Sequence, residues 1–224
     1  MRAALAILSL AALAACSKPA EKAAPAPVGN AAPTAPAMKN TAPAGIYTLD
    51  PAHSSLNFRV SHMGLSRFTA RFIKFGGTLN FDPGHPEAMS VSITIDPASI
   101  QTNYPLKDVD FDAQIRGKDF LESAKHPAMT YVSTKVEQTG PNTARVTGDL
   151  NFRGVTKPVV LETTFNGGYA PNNMDPSGAR IGFSGHGGLK RSDFGFSTGI
   201  PAPGTTMGVG DEVEILIETE FTKK

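Results

Sequence analysis

The chain has 224 residues, a formal net charge of +1 and one cysteine, enough for a single domain with a substantial core. Residues 1–45 hold four Lys/Arg and one acidic residue, leaving 17 basic and 19 acidic residues in the remainder; that faintly acidic body excludes nucleic acid, which calls for a basic face. With its only thiol at position 16, the rest of the chain can form no disulfide, iron–sulfur cluster or thiolate metal site.

The first predicted element is a leader. Met1-Arg2 precedes an apolar run from Ala3 to Ala15, the pattern of a secretory signal peptide. The run is shorter than the roughly 20 residues that span a bilayer. Its ending, Leu13-Ala14-Ala15-Cys16, resembles a bacterial lipobox. That resemblance implies cleavage after residue 15 and acylation of Cys16, which anchors the protein to a membrane facing the periplasm. Ser17 at the second mature position favours the outer membrane. The competing reading is an ordinary cleaved signal with Cys16 present by chance. Residues 16–45 follow as a tether rich in Ala and Pro, with no apolar period to bury.

From residue 46 to 224 the dominant period is two, the signature of half-buried strands. Leu56, Phe58 and Val60 alternate within Ser55–Ser61. Phe68 to Phe81 predicts one long strand or two, with Gly76-Gly77 as a bulge or bend. Val91, Ile93 and Ile95 form the next set, and Met129–Val136 is a weaker candidate. Between them Asp108 is placed to cap a short helix that carries Phe111 and Ile115 and ends at Gly117. Such a helix either closes one end of the domain or packs on its outside. Val146, Gly148, Leu150 and Phe152 lead through an Arg153-Gly154 turn into Val159, Leu161, Thr163 and Phe165. Ile181–Leu189 is a weaker strand, and Val213, Ile215, Ile217, Thr219 and Phe221 close the chain. About eight antiparallel strands with one helix predict an all-β barrel or sandwich.

Four ordered stretches then carry a resemblance. Asp50-Pro51-Ala52-His53-Ser54 with Phe58-Arg59-Val60-Ser61-His62-Met63-Gly64 looks like the opening signature of the YceI-like family. Lys118-Asp119-Phe120-Leu121 with His126-Pro127, Val146-Thr147-Gly148-Asp149-Leu150 with Arg153-Gly154-Val155-Thr156-Lys157-Pro158-Val159, and Lys190-Arg191-Ser192-Asp193-Phe194-Gly195 are similar to its later segments. The resemblance implies a lipocalin-like antiparallel barrel of eight strands, polyisoprenoid binding, and no catalytic residues or required cofactor. The ligand it implies is a long isoprenoid of the quinone or polyprenyl type.

An eight-stranded barrel is just wide enough to be filled by side chains or to hold one slender ligand. The candidate apolar wall is Leu56, Phe58, Val60, Phe68, Phe72, Val91, Ile93, Leu150, Leu161, Ile215 and Ile217. The alternative is that these residues fill a dry core. His62, two residues after Val60, and Arg191 are the candidates for a ligand's polar head; a satisfied structural histidine and an Arg191–Asp193 pair are the alternatives. His53 is placed to make a turn hydrogen bond to Asp50.

Two motifs point elsewhere and lack their contexts. Gly195-Phe196-Ser197-Thr198-Gly199 fits G-x-S-x-G, but Pro201 and Pro203 follow it and no histidine lies beyond His186. Gly185-His186-Gly187-Gly188 lacks phosphate-loop spacing and predicts flexibility or a bulge. The five histidines show no metal-ligand spacing. A lipid-binding, non-enzymatic module is therefore expected. Its rivals are a quinone-linked redox accessory, and a stress-protective interaction protein without a ligand.

Overall fold

The computed structural model describes residues 40–224; Cys16 and most of the tether lie outside them. Ten strands appear in chain order: β1 (Gly45–His62), β2 (Ser66–Phe72), β3 (Phe75–Phe81), β4 (Ser90–Ile95), β5 (Ile100–Gln101), β6 (Met129–Gln138), β7 (Thr143–Phe152), β8 (Val155–Tyr169), β9 (Ala179–Lys190) and β10 (Val209–Lys223), with one α-helix, α1 (Phe111–Arg116), after β5. The sheet runs β10-β9-β8-β7-β6-β4-β3-β1 and closes because β10 also pairs with β1. This is an antiparallel barrel of eight strands, as expected. Strand β1 is long enough to serve two neighbours on one edge. Its first residues pair with β3, and Leu56 to His62 pair with β2.

Three local expectations are corrected. The break in the 68–81 stretch falls at residues 73–74, not at the glycines. Gly76 and Gly77 pair regularly with β4. A Cβ on Gly77 would lie 2.0 Å from the Ser92 carbonyl oxygen, so this glycine permits close strand approach rather than a bend. The helix cap is Asp110, not Asp108: Ala113 N–H donates to the Asp110 carboxylate at 2.8 Å. Gly185 to Gly188 form no bulge, because β9 pairs with β10 without interruption from Ala179 to Lys190. The Arg153-Gly154 turn is as expected. Both residues adopt positive φ, 50° and 75°, joining Phe152 to Val155 in the twist-matched two-residue hairpin geometry.

Following strand directions, the 63–65 turn, residues 96–128 with α1, the 153–154 turn and residues 191–208 gather at one end of the barrel, the helix end. The far end holds the 82–89, 139–142 and 170–178 connections. Buried side chains concentrate at each end. Ile100, Leu121, Phe152, Phe194 and Phe196 belong to one cluster; Tyr47, Phe81, Ile181 and Phe221 belong to the other.

The domain begins before residue 46. Thr41 N–H donates to the Gly168 carbonyl at 3.1 Å, Ala42 is buried, and the Tyr47 hydroxyl donates to the Pro43 carbonyl at 2.7 Å. A small alanine here has a packing role that composition does not reveal. Deleting Pro19 to Lys39 should leave the melting temperature unchanged, whereas extending the deletion through Ala44 should cost about 2 kcal/mol in lost hydrogen bonds and burial. Thermal melts of the two deletions check this; equal melts would show that the 41–44 contacts contribute nothing.

Candidate functional site: an apolar cavity through the barrel

Strand alternation turns one residue in two inward, and the register stacks those residues in tiers. Phe58 faces Ile215, Ile215 faces Gly187, and Gly187 faces Leu161. One step toward the far end, Leu56 faces Ile217, then Gly185, then Thr163. In both tiers β9 contributes an inward position with no side chain. Gly187 is required by geometry, because a Cβ there would lie 2.6 Å from the Val160 carbonyl oxygen. Gly185 is not: a Cβ there would meet Ile217 and Thr163 at ordinary contact distances of 3.6 and 3.7 Å.

The barrel encloses a cavity of about 1010 Å³, with Gly185 in its wall, at the top of the roughly 300–1,000 Å³ range of small-molecule sites. All eleven candidate wall residues line it. Val60 and Leu150 are buried, and the other nine are only partly so. Inward-pointing residues that keep accessible surface are facing open space, not a packed core. The cavity wall also includes Phe111 and Ile115 of α1 and Phe165 and Phe183 near the far end. Phe111 stacks edge-on against Phe68, with centroids 5.9 Å apart, so α1 lies across the helix end of the cavity. Exposed His62, Ser66 and Tyr104 line it at that end, and exposed Pro83, Gln138 and Asn142 at the other.

The wall contains no Asp, Glu, Lys or Cys among the described residues. Its arginine, Arg191, is spoken for. Arg191 is buried, and burial pulls its pKa down. It donates from Nε to the Gly210 carbonyl at 2.8 Å, from Nη1 to that of Thr198 at 3.2 Å, and from Nη2 to that of Val209. The expected alternative partner, Asp193, is exposed, and the acid near this loop is Asp211, which accepts from the Ser192 hydroxyl at 2.7 Å. Arg191 therefore ties the loop after it to the start of β10 from inside. His62 ends β1 at the rim, exposed. The Tyr131 hydroxyl donates to the Val146 carbonyl at 3.0 Å; burial first, and the Asp149 charge second, push its pKa upward, so it stays neutral. Its ring occupies the space that a side chain at Gly148 would take.

A second polar cluster lies near the far end, outside the cavity. Asp50, His53 and Glu220 converge closely enough to ligate a metal. However, the Arg180 guanidinium already sits among them, 2.7 Å from Asp50 and in contact with Glu220, with Asp175 at 2.9 Å. His53 Nδ1 lies 2.8 Å from Asp50, the turn contact expected from sequence. Ser197 of the G-x-S-x-G match is exposed in a loop with no helix after it.

Residues 47–221 match the family model described as YceI-like domain. The chain belongs to the YceI-like family. A Pseudomonas syringae pv. syringae relative, a UPF0312 protein, is 42% identical over 155 residues, covering 69% of this chain and 74% of the relative. The crystal structure of Burkholderia cenocepacia BcnA, at 30% identity, superposes with a TM-score of 0.63 over 77% of this chain and 98% of that one. A domain from Saccharophagus degradans, described as polyisoprenoid-binding and implicated in plant cell wall breakdown, shares the fold at 17% identity and a TM-score of 0.58, over 80% of this chain and 98% of its own. Within the YceI-like domain, sequence periodicity located the wall strands. It missed Phe165 and Phe183 as wall residues, although both fall on alternating positions, and it missed Gly185, which leaves no apolar signal.

Proposed function

We propose that this YceI-like protein binds and carries a long isoprenoid lipid, of the quinone or polyprenyl type, along its barrel axis. The observation that carries this reading is the cavity: continuous, lined by aliphatic and aromatic side chains, and free of carboxylates among the described residues. A prenyl chain asks only for such a wall, because its transfer from water is favourable by roughly 25 cal/mol per Å² buried. The polyisoprenoid-binding description of the S. degradans domain supports the same ligand class. Catalysis would call for a perturbed acid or base beside the ligand, and the charged wall group that is buried, Arg191, spends its donors on backbone carbonyls. Carriage is accordingly favoured over quinone-linked redox chemistry.

Native mass spectrometry and lipid extraction of protein purified from its own host should yield a bound isoprenoid. Phe58, whose ring lies 5.6 Å from that of Phe72, offers a graded test. Phe58→Leu should keep the fold and weaken binding by on the order of 1 kcal/mol, the scale of a modest apolar trim. Protein that carries no lipid in any preparation would overturn the carrier reading and favour a surface interaction role.

We further propose that Cys16 is acylated and tethers the domain to the periplasm-facing side of the outer membrane, on the resemblance of Leu13-Ala14-Ala15-Cys16 to a lipobox and on Ser17 at the second mature position. Cys16→Ser should move the protein from the membrane to the soluble fraction or leave a longer precursor. Unchanged fractionation, with no acyl mass on the wild type, would sink this anchor.

A further inference from the structure

The two ends of the barrel are covered differently. At the far end, Phe81, Phe165, Phe183 and Phe221 line the cavity and touch ring to ring, with centroids 5.2–6.3 Å apart. They ride on β3, β8, β9 and β10, strands whose ladders would have to part before that end could widen. At the helix end, Phe111 and Phe120 line the cavity and belong to no strand. They sit on the connection between β5 and β6, a stretch of a length that is uncommon in compact domains outside functional lids and binding loops.

This connection is joined to the barrel by very little polar structure. Among the described residues, every backbone–backbone hydrogen bond made by residues 103–126 ends within that stretch; Leu121 N–H, for example, donates to the Ile115 carbonyl at 3.0 Å. At its root, Thr102 N–H donates to the Asp112 carboxylate at 2.9 Å. Residues with positive φ bracket the segment: Asn103 at 52° and Glu122 at 48°. Non-glycine residues hold that conformation where their surroundings impose it, and the residues that absorb large backbone rotations are the hinges of moving segments.

Beyond Thr102, the side chain that bonds this stretch to the barrel is Arg153. Its guanidinium donates to the Lys118 carbonyl at 3.5 Å and lies 3.4 Å from the Glu122 carboxylate. Arg153 is itself held still. It sits in the tight β7–β8 turn, donates to the Gly195 carbonyl at 3.2 Å, and lies 4.6 Å over the Phe196 ring. Glu122 therefore joins two roles, since the carboxylate that Arg153 grips belongs to a residue whose backbone must turn. The remaining contacts are apolar, with Phe111 on Phe68 and Leu121 buried. An apolar ligand entering the cavity can replace those contacts.

We infer that residues 104–121 form a hinged lid over the helix-end mouth, latched by Arg153, and that cargo enters and leaves when the latch opens. The identity of the cargo rests on the carrier reading; the motion of the lid does not.

Thiol chemistry tests the motion without a ligand. Leu121 is buried in the lid and Leu150 in β7, and the chain's own cysteine is Cys16, so peptide mapping follows each introduced thiol separately. In full-length Leu121→Cys, adding Arg153→Met should speed alkylation by N-ethylmaleimide on the order of tenfold, the scale of losing hydrogen bonds to a charged group. In Leu150→Cys the same addition should change the rate by less than about twofold, because distant sites act independently. Equal acceleration at both thiols would mean that Arg153→Met loosens the whole barrel. No acceleration at Leu121→Cys would mean that Arg153 does not hold the lid. Either result overturns the inference.

Passage is read with dansyl-labelled geranylgeraniol. Arg153 and Glu122 lie outside the cavity wall. Arg153→Met should therefore speed loading and release together, each on the order of tenfold, and leave Kd within about threefold. Glu122→Gln keeps the size of the side chain and the Lys118 contact, and should give a several-fold version of both effects; it decides the matter if Arg153→Met does not fold. Unchanged exchange rates beside a faster Leu121→Cys thiol would route cargo through the far end and overturn the gate. A faster thiol in a protein that binds no isoprenoid in any form would sink the carrier reading and leave the lid intact.

Discussion

A Gly185→Phe variant should fold, melt no lower than the wild type, and lose its lipid. The position faces inward between Ile217 and Thr163, and its backbone leaves ordinary contact distance for a Cβ. A benzyl group there projects into the cavity beside Leu56 and Phe58, where a ligand chain would run. Replacing a strand glycine also removes a conformational-entropy penalty of about 0.5–1 kcal/mol, which offsets any repacking. Isoprenoid affinity should fall on the order of 100-fold, about 2.7 kcal/mol. Native mass spectrometry of the extracted variant beside a thermal melt reads both quantities. Retained lipid at an unchanged melting temperature would mean that the ligand does not occupy this part of the barrel. Gly187 supplies the contrast, since a side chain there collides with the backbone of β8; its substitution should unfold the sheet and not merely empty it.

Arg180→Met should produce the largest loss of stability of any side-chain truncation considered. The guanidinium is only 13% exposed and pairs with Asp50, Asp175 and Glu220 at once. Removing one member of such a group strands the others, at 3–5 kcal/mol when fully buried. Glu220 is partly exposed, so about 3 kcal/mol is expected, or ~10 °C in melting temperature for a domain of this size. Arg145→Met, which breaks an exposed pair with Glu162, should cost under about 1 kcal/mol. Acid tests the same cluster. The hydrogen bond from His53, then the Arg180 guanidinium, hold the Asp50 pKa down at about 2, below the ~3.9 of an unfolded aspartate. A depressed carboxylate stabilises the fold above the unfolded value, and that contribution is lost as pH falls from about 4 toward 2. In Arg180→Met the acid-induced drop across this window should shrink. If the wild type and the variant lose stability in parallel there, the cluster is not the source.

Most of the barrel is legible in the sequence because its walls alternate. Phe58 and Ile215 sit 157 positions apart in the chain, yet each announces its face by the residues two before and two after. What is not legible depends on contacts rather than period. The opening strand begins at Gly45, ten residues before the alternation from Ser55 becomes plain, because Asp50-Pro51 reads as a turn. In the fold it is a register slip between Asp50 and Ser55 within one strand. Two-residue β5 is too short to show a period. Thr41 to Ala44 look like tether, since nothing local says that Gly168 and Tyr47 wait to bond them. At the site, the apolar wall was readable and the emptiness was not: Gly185 lines the cavity by lacking what a pattern search counts. Arg191 shows the converse. Its charge suggested a ligand contact, and its three carbonyl partners come from the loop after it and the start of β10.

The seam between β1 and β10 joins the first and last strands of the domain. Neither edge of the sheet is satisfied until the final strand is present, so the barrel cannot be completed piecemeal from its start. Its ring of hydrogen bonds shuts only after the chain has paid the loop-closure entropy of nearly its whole length, which places it among the slow, high-contact-order folders. A chain released before residue 209 would present two bare strand edges beside an open apolar trough, the combination most prone to self-association.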